Sequence, residues 1–154
     1  MSAAILEQIR QQIKTVLATV NVTTGSPVTL IVTADKREGV QPVNGTCIVT
    51  VAEDAPLEAA QNIARRKATI KVVTFTDFSE SLEAIQDADT ALIDLSSRIQ
   101  MAVCPSETGS HLNGLAEGTW VGDVLFGNDA DYYVVENEFT VDYRTLYFDP
   151  YVQG

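Results

Sequence analysis

A chain of 154 residues with a net charge of −11, from 21 acids against 10 bases, is not expected to grip nucleic acid, which binds by having its phosphates neutralised. Its 45% hydrophobic and 20% charged residues suit one globular domain, 1–154, able to bury a core without a disulfide or a metal. The two cysteines, Cys47 and Cys104, make no disulfide framework and suit a reducing cytoplasm; no apolar run approaches the roughly 20 residues that cross a membrane.

In chain order, Ser2 is expected to cap a helix running to about Val20, with Ile5, Ile9, Ile13, Val16, Leu17 and Val20 as its apolar stripe. The mixed, charged start MSAAILEQIRQQIK does not read as a secretory signal. After the turn-rich TTGSP, Val28 to Thr33 reads as a short strand, and Asp35-Lys36-Arg37-Glu38 as a solvated loop. Asn44-Gly45 is a strong signal for a two-residue hairpin turn, since both residues tolerate positive φ. Pro42 makes the first arm an edge; Cys47 to Val51 is the better strand.

Glu53-Asp54-Ala55-Pro56 then predicts the opening of a short helix, Leu57 to Arg66, because acids and proline suit a first helical turn. Arg65-Arg66-Lys67 would end it, where cations complement the helix dipole. Thr69 to Phe75 reads as a strand inside a sheet, with Ile70 and Val72 on one face and Val73 and Phe75 on the other. A helix follows, capped by Asp77 or Ser79, with Leu82, Ile85, Ala88, Leu92, Leu95, Ile99 and Ala102 as its stripe and Pro105 as its end. Five of the nine glycines fall between Cys104 and Asp131, where short apolar pieces (Leu112 to Ala116, Thr119 to Phe126) alternate with turn signals. From Tyr133 to Tyr147 alternation returns and predicts a half-buried strand with a polar outer face; the tail FDPYVQG is expected to be extended. Together these elements predict an α/β (α+β) two-layer domain: a mixed or mainly antiparallel sheet with helices packed on it and a projecting β-hairpin.

Chemistry is sparse. The single histidine, His111, lies seven residues after Cys104, which is no metal-ligand spacing. No nucleophile elbow, phosphate-cradling loop or dinucleotide fingerprint occurs. Asp87 and Asp89 fall on a predicted helix, where i and i+2 do not face each other. Asp129 and Asp131 could meet a loop cation, but the remaining ligands of a calcium loop are missing. Neither catalysis nor a cofactor nor a metal is expected.

The helical start, the central strand-then-helix unit, the loop HLNGLAEG and the last strand ending FTVDYRT together resemble the tail terminator (tail completion) proteins of tailed bacteriophages. That resemblance implies a structural virion protein, assembled in the host cytoplasm and placed at the head-proximal end of the tail. It implies a homo-oligomeric ring, hexameric, that caps the tail tube protein, stops polymerisation and receives the neck or connector protein. Six strongly acidic copies would let DNA pass through the lumen without adhering, and no membrane is involved. A ring needs two unlike surfaces. The hairpin Val40 to Val51 (Gln41, Val43, Asn44, Gly45, Thr46) is expected to supply one, and the outer side of the last strand (Glu138, Asp142, Arg144) the other. Two other readings stand beside it: a different head-tail neck or completion protein, and a small cytoplasmic ligand-binding or enzymatic α/β domain using the Cys104 to Asp131 loop.

Overall fold

The segment Thr69–Phe75, apolar on both faces, lies in the middle of a sheet, as that pattern predicts. A computed structural model describes residues 3–24, 27–33, 42–78, 87–104, 112, 114–129, 131–146 and 149–154. Their elements are α1 (Ile5–Leu17), β1 (Ile31–Thr33), β2 (Thr46–Ala60), β3 (Ile63–Thr76), α2 (Ala88–Val103), β4 (Gly118–Asp129), β5 (Tyr132–Leu146) and β6 (Asp149–Gln153). The sheet order is β1-β2-β3-β5-β4, with β6 joining β5 beyond the end of β4. Only β1 and β2 run parallel; every other pair is antiparallel. The fold is α+β in two layers, one mainly antiparallel sheet with both helices on one face.

Alternation decides which residues meet those helices. Ala68, Ile70 and Val72 of β3 and Val135, Phe139, Val141 and Tyr143 of β5 are buried beneath them, as are Cys47 and Val49 of β2. The helices supply Ile5, Ile9, Ile13 and Leu17 from α1 and Leu92, Leu95 and Ile99 from α2, as the predicted stripes have it; at the end of α2 Val103 is buried, with the expected Ala102 only half-buried. The odd-numbered residues of β3 and even-numbered residues of β5 are half-buried or exposed on the opposite face, which no described element covers.

The helix ends differ from expectation. Ala4, without a side-chain hydrogen bond, occupies the start of α1; Ser2 lies outside the described residues. Asp87 is the cap of α2, accepting from the amides of Asp89 and Thr90, so it is not a mid-helix surface acid. The Asp77 amide donates to Asn44 Oδ1, and residues 79–86, where a helix capped by Asp77 would begin, lie outside the described residues. Ser79, Leu82, Ile85 and Pro105 fall outside the described residues.

In α1, Arg10 donates to both oxygens of Glu7 at 2.7 and 2.6 Å. That pairing is the largest cause holding the Glu7 carboxyl down at about 2, against a smaller opposing effect of burial. A depressed folded pKa means stabilisation that is complete above the unfolded value near 4.3 and lost as pH falls toward 2. Glu7 is partly solvated, so the effect should be below about 1 kcal/mol. Glu7→Gln is expected to flatten the fall in stability between these limits in acid titrations followed by circular dichroism; an unchanged slope would rule the pair out as a contributor.

The short helix expected over Leu57 to Arg66 is instead the far half of an antiparallel hairpin. β2 and β3 pair from Cys47↔Thr74 to Ala60↔Ile63, turning at Gln61-Asn62, with Gln61 at φ 56°. Local helix signals lost to cross-strand pairing. Asp54 and Arg66 form an ion pair at 3.1 Å, and Tyr143 Oη donates to Asp54 at 2.9 Å, a contact that only strand geometry supplies. Bulges at Val51/Glu53 and Pro56/Glu58 accommodate the proline in a strand that has no described partner on its outer side there.

The Asn44-Gly45 turn is present but does not project as a hairpin tip. Gly45 is buried, its amide donates to Phe75 O at 2.8 Å, and its carbonyl accepts from Ile31 N at 2.8 Å. Its φ of +87° and the 3.0 Å approach of Val22 Cγ2 to any added Cβ explain the glycine. Asn44 Oδ1 accepts from Thr76 Oγ1 at 2.7 Å. The turn therefore fastens the end of the sheet. Pro42 and Val43 lie in no strand, and Val40 and Gln41 fall outside the described residues.

Candidate functional site

The residues expected at a subunit contact occupy two regions. Val43 is exposed, with Asn44, Gly45 and Thr46 behind it at the β1/β2 end of the sheet; Gln41 lies outside the described residues. Glu138, Asp142 and Arg144 stand on the uncovered face of β5, opposite Lys71, Lys67 and Arg65 of β3. The like-charged Arg65 and Arg144 are directly opposed, which costs stability by itself. Glu117 lies between them, ion-paired to Arg65 at 3.3 Å and to Arg144, and Glu58 adds a contact to Arg65 at 2.9 Å. β5 is an inner strand, so its outer side is a face of the sheet and not an edge.

The residues that sequence reasoning missed are in β4. The stretch GTWVGDVLFGND, of which Thr119 to Phe126 was read as a short apolar piece between turn signals, is one 12-residue strand with a bulge at Gly122-Asp123. Its density of aromatic and branched residues was the available signal. Trp120 and Leu125 pair with Thr140 and Glu136 and so share the uncovered face; Val121 and Phe126 pair with Phe139 and Val135 on the other. Their exposures are 52%, 60%, 42% and 50%. The Trp120 indole lies across Gly118, where an added Cβ would come within 2.6 Å of the ring. Leu125 and Phe126 continue into a shallow cleft of about 350 Å³ lined also by Val73, Phe75 and Val134. A strand that is apolar on both faces belongs inside a sheet, yet β4 forms its margin.

Other polar clusters are paired internally, except that the amide nitrogen of Asn137 is a buried donor with no hydrogen-bond partner among the described residues. Asp54, Arg66 and Tyr143 line a cleft of about 420 Å³ beside the start of α1. Burial first, and then the Asp54 carboxylate, push the Tyr143 phenol upward, away from any role as a base near neutrality. In the core, Ser96 Oγ donates to Asn137 Oδ1 at 2.8 Å and accepts from Gln100 Nε2 at 3.1 Å. Among the described residues no three His, Cys, Asp or Glu side chains gather as a metal site. Asp131 is exposed at the β4–β5 turn, and His111 lies outside the described residues. No described helix is long and apolar enough to cross a membrane.

The thiols differ in a testable way. Cys47 is fully buried, and burial pushes it up to about 12; Cys104 is half-buried and raised by the same cause. Under native conditions a thiol-reactive reagent is expected to label Cys104 first, and Cys47 only on unfolding. Equal rates for both would contradict the buried face of β2.

Scanned against protein-family models and searched against curated proteins, the chain finds no match.

Proposed function

We propose that the chain is a structural subunit of a tailed-bacteriophage virion, a tail terminator without enzymatic activity. Copies close head to tail into a ring, hexameric, at the head-proximal end of the tail tube. The ring ends polymerisation of the tube protein and offers its other side to the neck or connector protein. DNA crosses its lumen unbound, and assembly takes place in the host cytoplasm.

The observation that carries this reading is β4, an apolar strand of interior type at one margin of a sheet whose opposite margin is different in character. Unlike edges on opposite sides are what a head-to-tail contact requires, and rotation closes such contacts into rings. The resemblance of the element order to tail terminators supplies the tail.

Electron microscopy of tails made with and without the protein tests it. Without the protein, tubes are expected to run to irregular or excessive length and fail to join heads. Tails of normal length that join heads in its absence would end the reading.

A further inference from the structure

We infer that Asn44-Gly45 is a latent self-modification site, which converts to a cyclic imide and then to aspartate or isoaspartate only when the end of the sheet that holds it opens. The inference is independent of the ring reading.

Asn-Gly is the dipeptide best suited to this reaction, because glycine has no side chain to obstruct the approach of its own amide nitrogen. The Gly45 amide gives up its proton, and its nitrogen attacks Cγ of Asn44. A bond from Gly45 N to Asn44 Cγ forms, the Cγ–Nδ2 bond breaks, and Nδ2 leaves as ammonia with that proton. Water then opens the imide at either of its carbonyls. One opening gives aspartate; the other gives isoaspartate, in which the main chain runs through Cβ and Cγ.

The folded chain blocks the first step at the nucleophile. Gly45 is buried, and its amide donates to Phe75 O at 2.8 Å. Losing the proton there would leave a buried charge against a carbonyl oxygen, without compensation. Ile31 N donates to the Gly45 carbonyl at 2.8 Å and so fixes the residue from its other side. The electrophile is held as well: Thr76 Oγ1 and Asp77 N donate to Asn44 Oδ1 at 2.7 and 3.1 Å. Those partners come from β1 and from the end of β3, so the turn is released when these separate from it. Such a local opening needs less than global unfolding. Hydrogen exchange at the Gly45 amide begins with the same loss of a proton from the same open state. Deamidation and exchange therefore share one opening equilibrium.

The test follows deamidation at Asn44 in the full-length chain, folded and in guanidinium chloride, by peptide mapping with mass spectrometry. Hydrogen exchange at Gly45 is read by nuclear magnetic resonance. Folding is expected to slow deamidation by about 100-fold or more, as the bonds closing the turn imply, and by the same factor that protects the Gly45 amide. Thr76→Val, which removes one donor to Oδ1, is expected to raise both rates by a common factor. If circular dichroism shows that variant unfolded, low guanidinium concentrations on the wild type take its place, with the same parallel rise expected. A folded rate within about threefold of the unfolded one would overturn the inference. So would a Thr76→Val chain that deamidates more slowly while its Gly45 amide exchanges faster, because attack would then take place in the closed turn, with the Oδ1 donors stabilising the charge that develops on that oxygen.

Discussion

Phe139→Ala is expected to lower the unfolding free energy by about 3–5 kcal/mol, since Phe139 is one of the two largest fully buried side chains among the described residues. Phe139 is completely buried and sits in β5 between Ile70 of β3 and Val121 of β4. Truncation removes its transfer free energy and leaves a cavity that three hydrogen-bonded strands cannot collapse into. Urea unfolding would read the loss as a shifted midpoint at an unchanged slope. A loss below about 1 kcal/mol would mean that β5 does not turn its odd-numbered residues toward the helices.

The second large effect is on α2. Leu92→Ala and Leu95→Ala are each expected to cost about 2–5 kcal/mol, since both side chains are buried against the sheet. Ile93→Ala, between them in sequence but exposed, should change stability by under about 0.5 kcal/mol. From sequence alone Asp94→Ala would belong with Ile93. The structure raises that expectation to about 0.5–1 kcal/mol, because Asp94 accepts from Thr24 Oγ1 at 2.8 Å and pairs with Arg98 at 3.0 Å. Arg98 also donates to the carbonyls of Asn21 and Val22, tying the segment after α1 to α2. Thermal melts that placed Ile93 above Leu95 would reject this register of the helix.

Much of the fold was legible because a side chain's burial records the local period of its element. Steps of three and four marked Ile5, Ile9 and Ile13, and Leu92, Leu95 and Ile99; steps of two marked Val135 to Tyr143. Apolar groups on both faces placed Thr69–Phe75 inside the sheet before any partner strand was known. Such signals need only the residue's immediate neighbours in sequence.

The hairpin over Glu53 to Arg66 was not legible, because its decisive contacts are remote. Asp54 and Arg66 lie twelve residues apart, and Tyr143 comes from another strand, so acids and a proline read correctly as a helix start until that pairing is present. The Asn44-Gly45 turn was read at the right residues but in neither the right form nor the right setting: of the two only Gly45 takes a positive φ, Pro42 and Val43 form no hairpin arm, and Phe75, Thr76 and Ile31 hold the turn down through hydrogen bonds no local pattern encodes. The candidate contact was least legible of all. Trp120, Val121, Leu125 and Phe126 are ordinary strand residues by type, and they become a surface only because the sheet order places no described strand beyond β4. Composition and period thus determined which residues this chain buries. An edge is the absence of a neighbour, and only the tertiary structure decides where neighbours stop.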